Sequence, residues 1–312
     1  MVVLVGGYAG NGSLKTVEII GEDHEPCPIS NLPHGISRGP LLFATEDQDI
    51  LLCGGIEEGS EKHCKILSSN STWENFKNDL LFPRQDSLSI TTEKGVTYIF
   101  GSHLKGGGWT TSEHFSSAGQ EWLYGPKIPG KGIRDGCGVT ISENEILLIG
   151  GDDSLTRIIK LDLNTGNWTN PSISLKYGRW GHKCTVFKNK VVITGGMASN
   201  YYVTSTEIID LENKDNLTIR VANGEKPLDV RRNHGMGVAT IDNVPTLIAF
   251  GGYNGTTKEE NKDPRFYLDS VFMWNDTSED WIESTKFKMT EGKRNFGTAT
   301  LPTKLICPSN NE

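Results

Sequence analysis

The sequence predicts an all-β chain built from repeated four-stranded units. Three observations carry this reading. A short β-rich run ending in a glycine pair recurs along the chain, with its first glycine at positions 6, 54, 101, 150, 195 and 251, that is, every 45 to 56 residues. An arginine stands 16 to 20 residues before each internal glycine. No segment holds a 3.6-residue apolar period over ten or more residues, which removes the helical alternatives. Glycine, at 36 of 312 residues, exceeds the background of about 7% without a matching excess of proline, as many tight turns between short strands require.

Each element follows from its own residues. The glycine-terminated strands read VVLVGG, ILLCGG, TYIFGS (a degenerate copy), ILLIGG, VVITGG and LIAFGG. Before them come the arginine-opened strands RGPLLFAT, RQDSLSIT, RDGCGVTI, RWGHKCTVF, RRNHGMGVAT and RNFGTATL, opened by Arg38, Arg84, Arg134, Arg179, Arg231 and Arg294. A third β-like run follows each glycine pair: KTVEII, HCKILS, TSEHFS, RIIKLDL, STEIIDL and DSVFMW. Trp73, Trp122, Trp168 and Trp281 mark a fourth strand, 18 to 30 residues after the first glycine of four units. The unit is therefore strand, strand, Gly-Gly turn, strand, strand.

This order of Arg, Gly-Gly, acidic residue and Trp, at a period near 50, resembles the kelch repeat over essentially the whole chain. The resemblance implies a six-bladed β-propeller in one domain, residues 1–302, with a C-terminal tail at 303–312. The chain starts on the second strand of a unit and ends on an arginine-opened first strand. One blade is thus expected to close by pairing the C-terminal strand with the N-terminal strands, which removes free sheet edges.

Composition limits the partners. Asp plus Glu outnumber Lys plus Arg by 39 to 31, giving a net charge of -8, so a nucleic-acid partner is not expected. No apolar run approaches the roughly 20 residues of a membrane-spanning helix. The start carries no secretory signal. The chain reads as a cytosolic protein, or as a mature domain or part of a longer chain, monomeric as a domain.

Six cysteines form no C-x-x-C pair. Cys53 and Cys64 flank the Gly-Gly turn of one unit, around a turn at Glu58 and Gly59, and would face each other across antiparallel strands. Cys137 and Cys184 lie on first strands of neighbouring units with side chains toward one face. Cys27 and Cys307 could clasp the two ends. The alternative is six free thiols. Six N-x-Ser/Thr sequons occur, at Asn11, Asn70, Asn167, Asn216, Asn254 and Asn275. Cysteines and sequons together favour an extracellular setting, and the pattern is similar to extracellular kelch-like proteins of invertebrates. A cytoplasmic location is the alternative.

No metalloprotease, nucleophile-elbow or P-loop motif is present, and Gly106, Gly107 and Gly108 read as a hairpin tip. His182 and His234 occupy equivalent positions of adjacent units and could hold a metal, as in copper-radical oxidases built on kelch-type propellers. No tyrosine here matches the ligands those enzymes need. No cofactor, no metal and no catalytic activity are expected. The carboxylates Asp152 and Asp153, which a sugar-acting propeller enzyme could use, are the weaker alternative. Ligand-facing candidates are the six arginines, whose guanidinium forks suit carboxylates, and which could equally pair inside the blades. The histidines and the residues that depart from the repeat join them: Trp109, Trp180, Tyr201 with Tyr202, and the lengthened, charged loop at 255–266. The favoured function is binding of a protein or peptide. An intracellular adaptor, selecting ubiquitin-ligase substrates or binding actin, is the second reading.

Overall fold

The computed structural model describes residues 1–21, 29–45, 47, 49–56, 61–68, 70–104, 108–118, 120–152, 154–257 and 259–301. Cys27, Cys307, Asp153, the turn expected at Glu58 and Gly59, Gly106, Gly107 and the tail lie outside the described residues. Among the described residues no helix is long and apolar enough to cross a membrane.

The protein is a six-bladed β-propeller of small antiparallel sheets. Blade 1 is Leu41–Ala44, Ile50–Cys53, Cys64–Leu67 and Trp73–Asn75, and blade 2 is Leu88–Thr91, Thr97–Phe100, Ser112–Ser116 and Glu121–Tyr124. Blade 3 comprises Cys137–Ser142, Glu145–Ile149, Ile158–Asp162 and Trp168–Thr169; blade 4 comprises Lys183–Phe187, Lys190–Thr194, Glu207–Asp210 and Thr218–Val221. Blade 5 is Gly235–Ile241, Val244–Phe250, Ser270–Asn275 and Asp280–Lys288. Blade 6 closes the ring as expected: Gly297–Thr300 pairs with Val2–Val5, which pairs with Val17–Ile20. The first strands of all six blades neighbour one another around a central channel.

The core is distributed, not central. Six apolar clusters each lie between two neighbouring blades, so every blade buries both faces. The cluster between blades 3 and 4, for example, joins Val139, Leu147 and Ile149 to Val191, Ile193 and Ile209.

The glycine pairs cement the interfaces. The first glycine of each pair has a left-handed φ of 62 to 68°. A Cβ on Gly101 would stand 2.1 Å from the Ile133 carbonyl oxygen, so the neighbouring blade forbids a side chain there. The second glycine's N–H donates across the interface to a carbonyl at the entry of the next blade: Gly55 to Arg84 at 2.7 Å, Gly151 to Arg179 at 3.0 Å, Gly196 to Arg231 and Gly252 to Lys293 at 2.8 Å.

Two disulfides are formed. Cys53–Cys64 bridges the second and third strands of blade 1, and Cys137–Cys184 ties the first strands of blades 3 and 4.

Candidate functional site

The six arginines that open first strands are not structurally equivalent. The entry carbonyls that accept from the Gly-Gly turns belong to Ile36, Arg84, Arg179, Arg231 and Lys293, with Ile133 in the same place beside Gly101. A residue with left-handed φ, between 47 and 64°, precedes each first strand: Gly39, Asp86, Asp135, Gly181, Asn233 and Asn295. Aligned on it, Arg84, Arg179 and Arg231 stand two residues before, while Arg134 and Arg294 stand one before; Arg38, itself left-handed with φ 60°, stands beside Gly39 in a doubled turn. That one-residue difference decides which arginines are sealed in.

Arg84, Arg179 and Arg231 are fully buried, at 0%, 0% and 1% exposure. Arg84 Nε donates to Glu113 at 2.7 Å and its Nη1 to the Gly101 carbonyl at 2.6 Å. Arg179 donates to Glu207 at 2.7 Å and to the Ser205 carbonyl at 2.9 Å. Among the described residues Arg231 has no carboxylate within bonding distance; it donates to the Gly251 carbonyl and Ser270 hydroxyl, both at 3.0 Å, and lies over the Phe272 ring. Burial lowers the Arg231 guanidinium to about 10. Lys293 is the sixth unit's counterpart, buried against Glu18 at 2.5 Å. These side chains pin first, second and third strands of one blade together, and the ligand-facing role expected of Arg84, Arg179 and Arg231 does not fit their burial.

His182 and His234 are also enclosed, at 0% and 1% exposure. Their Cε1 atoms fill the space that a Cβ would need at Gly150 and Gly195, 2.6 Å away in each case. Neither ring nitrogen of either residue meets hydrogen-bond geometry. Burial, then the neighbouring Arg179 or Arg231 charge, holds both imidazoles well below their usual range. Both are therefore neutral in the fold.

This gives a pH dependence. A histidine depressed in the fold takes up its proton more readily when unfolded, so its stability contribution is complete above pH ~6.5. That contribution falls by about 1.4 kcal/mol per pH unit below ~6.5. Asp86 acts oppositely. Burial, then Asp135, raises it to about 6, so the native state holds an extra proton between pH ~4 and ~6 and offsets one histidine there. Stability is expected to fall by about 2 kcal/mol from pH 7.0 to 5.5. In urea unfolding, His234→Gln should cut that drop to less than half; an unchanged drop would reject the assignment.

Arg38, Arg134 and Arg294 emerge on the Gly-Gly face, the ring end that carries the second-to-third and blade-to-blade connections. Arg38 is exposed. Arg134 lies 4.4 Å over the Trp109 ring and binds Asp152 at 2.9 Å. Arg294 joins a ladder of alternating cations and rings across the entries of blades 4, 5 and 6. Arg232 lies 4.9 Å from the Trp180 centroid and 5.3 Å from Tyr253. Arg294 lies 4.2 Å from Tyr253, 5.5 Å from Tyr267 and 5.9 Å from Tyr8. The long loop holds the ladder in place: Asn261 accepts from Arg294 Nη2 at 3.0 Å and from the Tyr267 hydroxyl at 2.7 Å. Tyr202 donates to the Gly255 carbonyl at 2.9 Å, while Tyr201 is 59% exposed beside it.

The ladder is electrostatically incomplete. Among the described residues neither Arg232 nor Arg294 has a carboxylate partner, and the Nε of each is unpaired. Burial pushes the Tyr202 and Tyr267 hydroxyls up to about 12, so no phenolate neutralises the pair. The nearby Glu260 and Asp263 are committed to their own loop, to the Thr256 and Thr257 N–H groups and to Arg265. Two adjacent guanidiniums stay uncompensated on an otherwise acidic protein. Sequence reasoning missed Arg232, Tyr8, Tyr253 and Tyr267. The signal was available in the Arg231-Arg232 doublet and in Gly-Gly-Tyr-x-Gly, which occurs at 6–10 and again at 251–255.

At the channel mouth Asp86, His103 and Asp135 bring potential ligand atoms within 4.8 Å of one another. His103 Nδ1 sits 3.1 Å from Asp135, and the Asn295 amide donates to Asp86. The hydrogen bond to Asp135 raises the His103 imidazole. The charges of this group thus answer one another. No protein-family model matches the chain, and no curated protein matches it significantly; its sequence repeats and its coordinates define it as a six-bladed β-propeller.

Proposed function

We propose that this protein is a non-catalytic kelch-type propeller that binds a protein segment on its Gly-Gly face, outside the cell, and that the Arg232–Arg294 ladder receives an acidic side chain of the partner. The observation that carries this reading is the pair of guanidiniums held over aromatic rings with no carboxylate partner among the described residues. A planar fork of donors fits a carboxylate bidentately, and Arg, Tyr and Trp dominate interface energetics. The two disulfides support the extracellular setting.

The test is fluorescence anisotropy at low salt with a labelled Glu-rich octapeptide and a Lys-rich one of the same length. The acidic peptide is expected to bind, and Arg294→Ala to weaken it roughly tenfold, the worth of one charge-assisted hydrogen bond. Arg232→Gln, which keeps the polar stem, should act in the same direction if Arg294→Ala disturbs the ladder. Equal binding of both peptides, or affinity indifferent to both variants, would remove the reading.

A further inference from the structure

The sequons divide between the two ends of the ring. In an antiparallel four-stranded blade, the turns joining first to second and third to fourth strands lie at one end. The second-to-third and blade-to-blade connections lie at the other. Asn70 follows Cys64–Leu67 in blade 1, Asn167 precedes Trp168–Thr169 in blade 3, Asn216 precedes Thr218–Val221 in blade 4, and Asn275 ends Ser270–Asn275 in blade 5. All four are thus at third-to-fourth turns, on the end opposite the arginine ladder. All four are exposed. At Asn70 the sequon hydroxyl is already engaged with the acceptor amide: Thr72 Oγ1 donates to Asn70 Oδ1 at 2.6 Å, leaving the amide nitrogen free. At Asn275 it is the side-chain oxygen that is engaged, accepting from the Thr277 and Ser278 N–H groups at 3.0 and 3.2 Å.

The Gly-Gly face differs. Asn254 follows Tyr253 of the ladder, is only half-exposed, and its Oδ1 is buried without a partner. A glycan there would stand against the ladder itself. Asn11, exposed near the tip of the Tyr8–Ala9 and Gly12–Ser13 hairpin, is the other sequon on this face.

We infer that Asn70, Asn167, Asn216 and Asn275 carry N-linked glycans that coat the turn face of the propeller, that Asn254 stays unmodified, and that the arginine ladder on the Gly-Gly face is thereby left open to a partner, with Asn11 the one exposed sequon of that face. The inference rests on the extracellular reading above. In the transfer, the asparagine Nδ2 attacks the anomeric carbon of a lipid-pyrophosphate-linked oligosaccharide. The N–C bond forms as the C–O bond to pyrophosphate breaks, the lipid pyrophosphate leaves with that electron pair, and the amide gives up one proton. Coats of this kind exclude macromolecules from the surface beneath them, so four acceptors on one end set a direction of approach.

The test is site-resolved occupancy on the full chain secreted from mammalian cells. Peptide N-glycosidase F in heavy-oxygen water converts each occupied asparagine to a labelled aspartate that mass spectrometry locates. Label at Asn70, Asn167, Asn216 and Asn275, with none at Asn254, is the expected result. Label missing from two or more of the four, or present at Asn254, overturns it. A second arm compares binding of the Glu-rich octapeptide before and after deglycosylation. Affinities within twofold are expected; a tenfold gain on removing glycans would overturn the assignment of faces. If the peptide fails to bind while occupancy is as expected, the carboxylate reading falls and the glycan map stands.

Discussion

Removing residues 294–312 is expected to abolish cooperative folding. The deletion takes away the first strand of blade 6, whose Gly297–Thr300 lies in register with Val2–Val5. It also removes Phe296, 6% exposed and stacked on Phe250 at 5.9 Å, and Leu301, 3% exposed. Losing a buried aromatic and a buried leucine costs about 3–5 and 2–5 kcal/mol. That total alone reaches the usual net stability of a domain, about 5–15 kcal/mol, before the ladder hydrogen bonds are counted. The ring also has no alternative closure, because Val2–Val5 would become a free apolar edge. Thermal unfolding followed by circular dichroism decides the matter: a melting temperature equal to the full chain's would refute it.

Glu207→Leu is expected to destabilise the fold by about 3–5 kcal/mol, because it leaves the Arg179 guanidinium charged and buried without its counter-ion. The pair is 0% and 1% exposed at 2.7 Å. Glu207 also accepts from the Lys176 and Tyr177 N–H groups at 2.7 and 3.2 Å, so three donors lose one acceptor. The double variant Arg179→Met/Glu207→Leu should recover part of the loss, since both charges are then gone. The exposed pair Lys94–Glu143 is the control: Lys94→Ala should cost less than ~1 kcal/mol. Urea midpoints for the four proteins give the answer, and a Glu207→Leu loss no larger than the control's would contradict the strand-pinning role.

The repeat was legible because a propeller blade must meet the same local demands six times. Strands such as ILLIGG need apolar residues on both faces, since each blade is covered on both sides, and the glycine pair is needed wherever the next blade approaches too closely for a Cβ. The pairing of Cys53 with Cys64 was legible because strand register fixes which side chains oppose, and that of Cys137 with Cys184 because both stand on the first strands of neighbouring units with side chains toward one face. The closing strand followed from the phase at which the chain begins and ends.

The roles of the arginines were not legible from that pattern. Arg134 and Arg179 read alike in sequence, yet one lies over Trp109 at the surface and the other is sealed with Glu207. The deciding residue is the left-handed Asp135 or Gly181 just before the strand, and counting from it shifts the side chain by one position, from blade interior to face. The ladder of Trp180, Arg232, Tyr253 and Arg294 joins residues more than a hundred positions apart, which the packing of three consecutive blades brings together. Local sequence determined the blade, because its constraints act within a few residues and across one strand pair. Only the tertiary structure decided the site, because a face is assembled from one connection of each blade, and no periodicity records which departures from the repeat become neighbours.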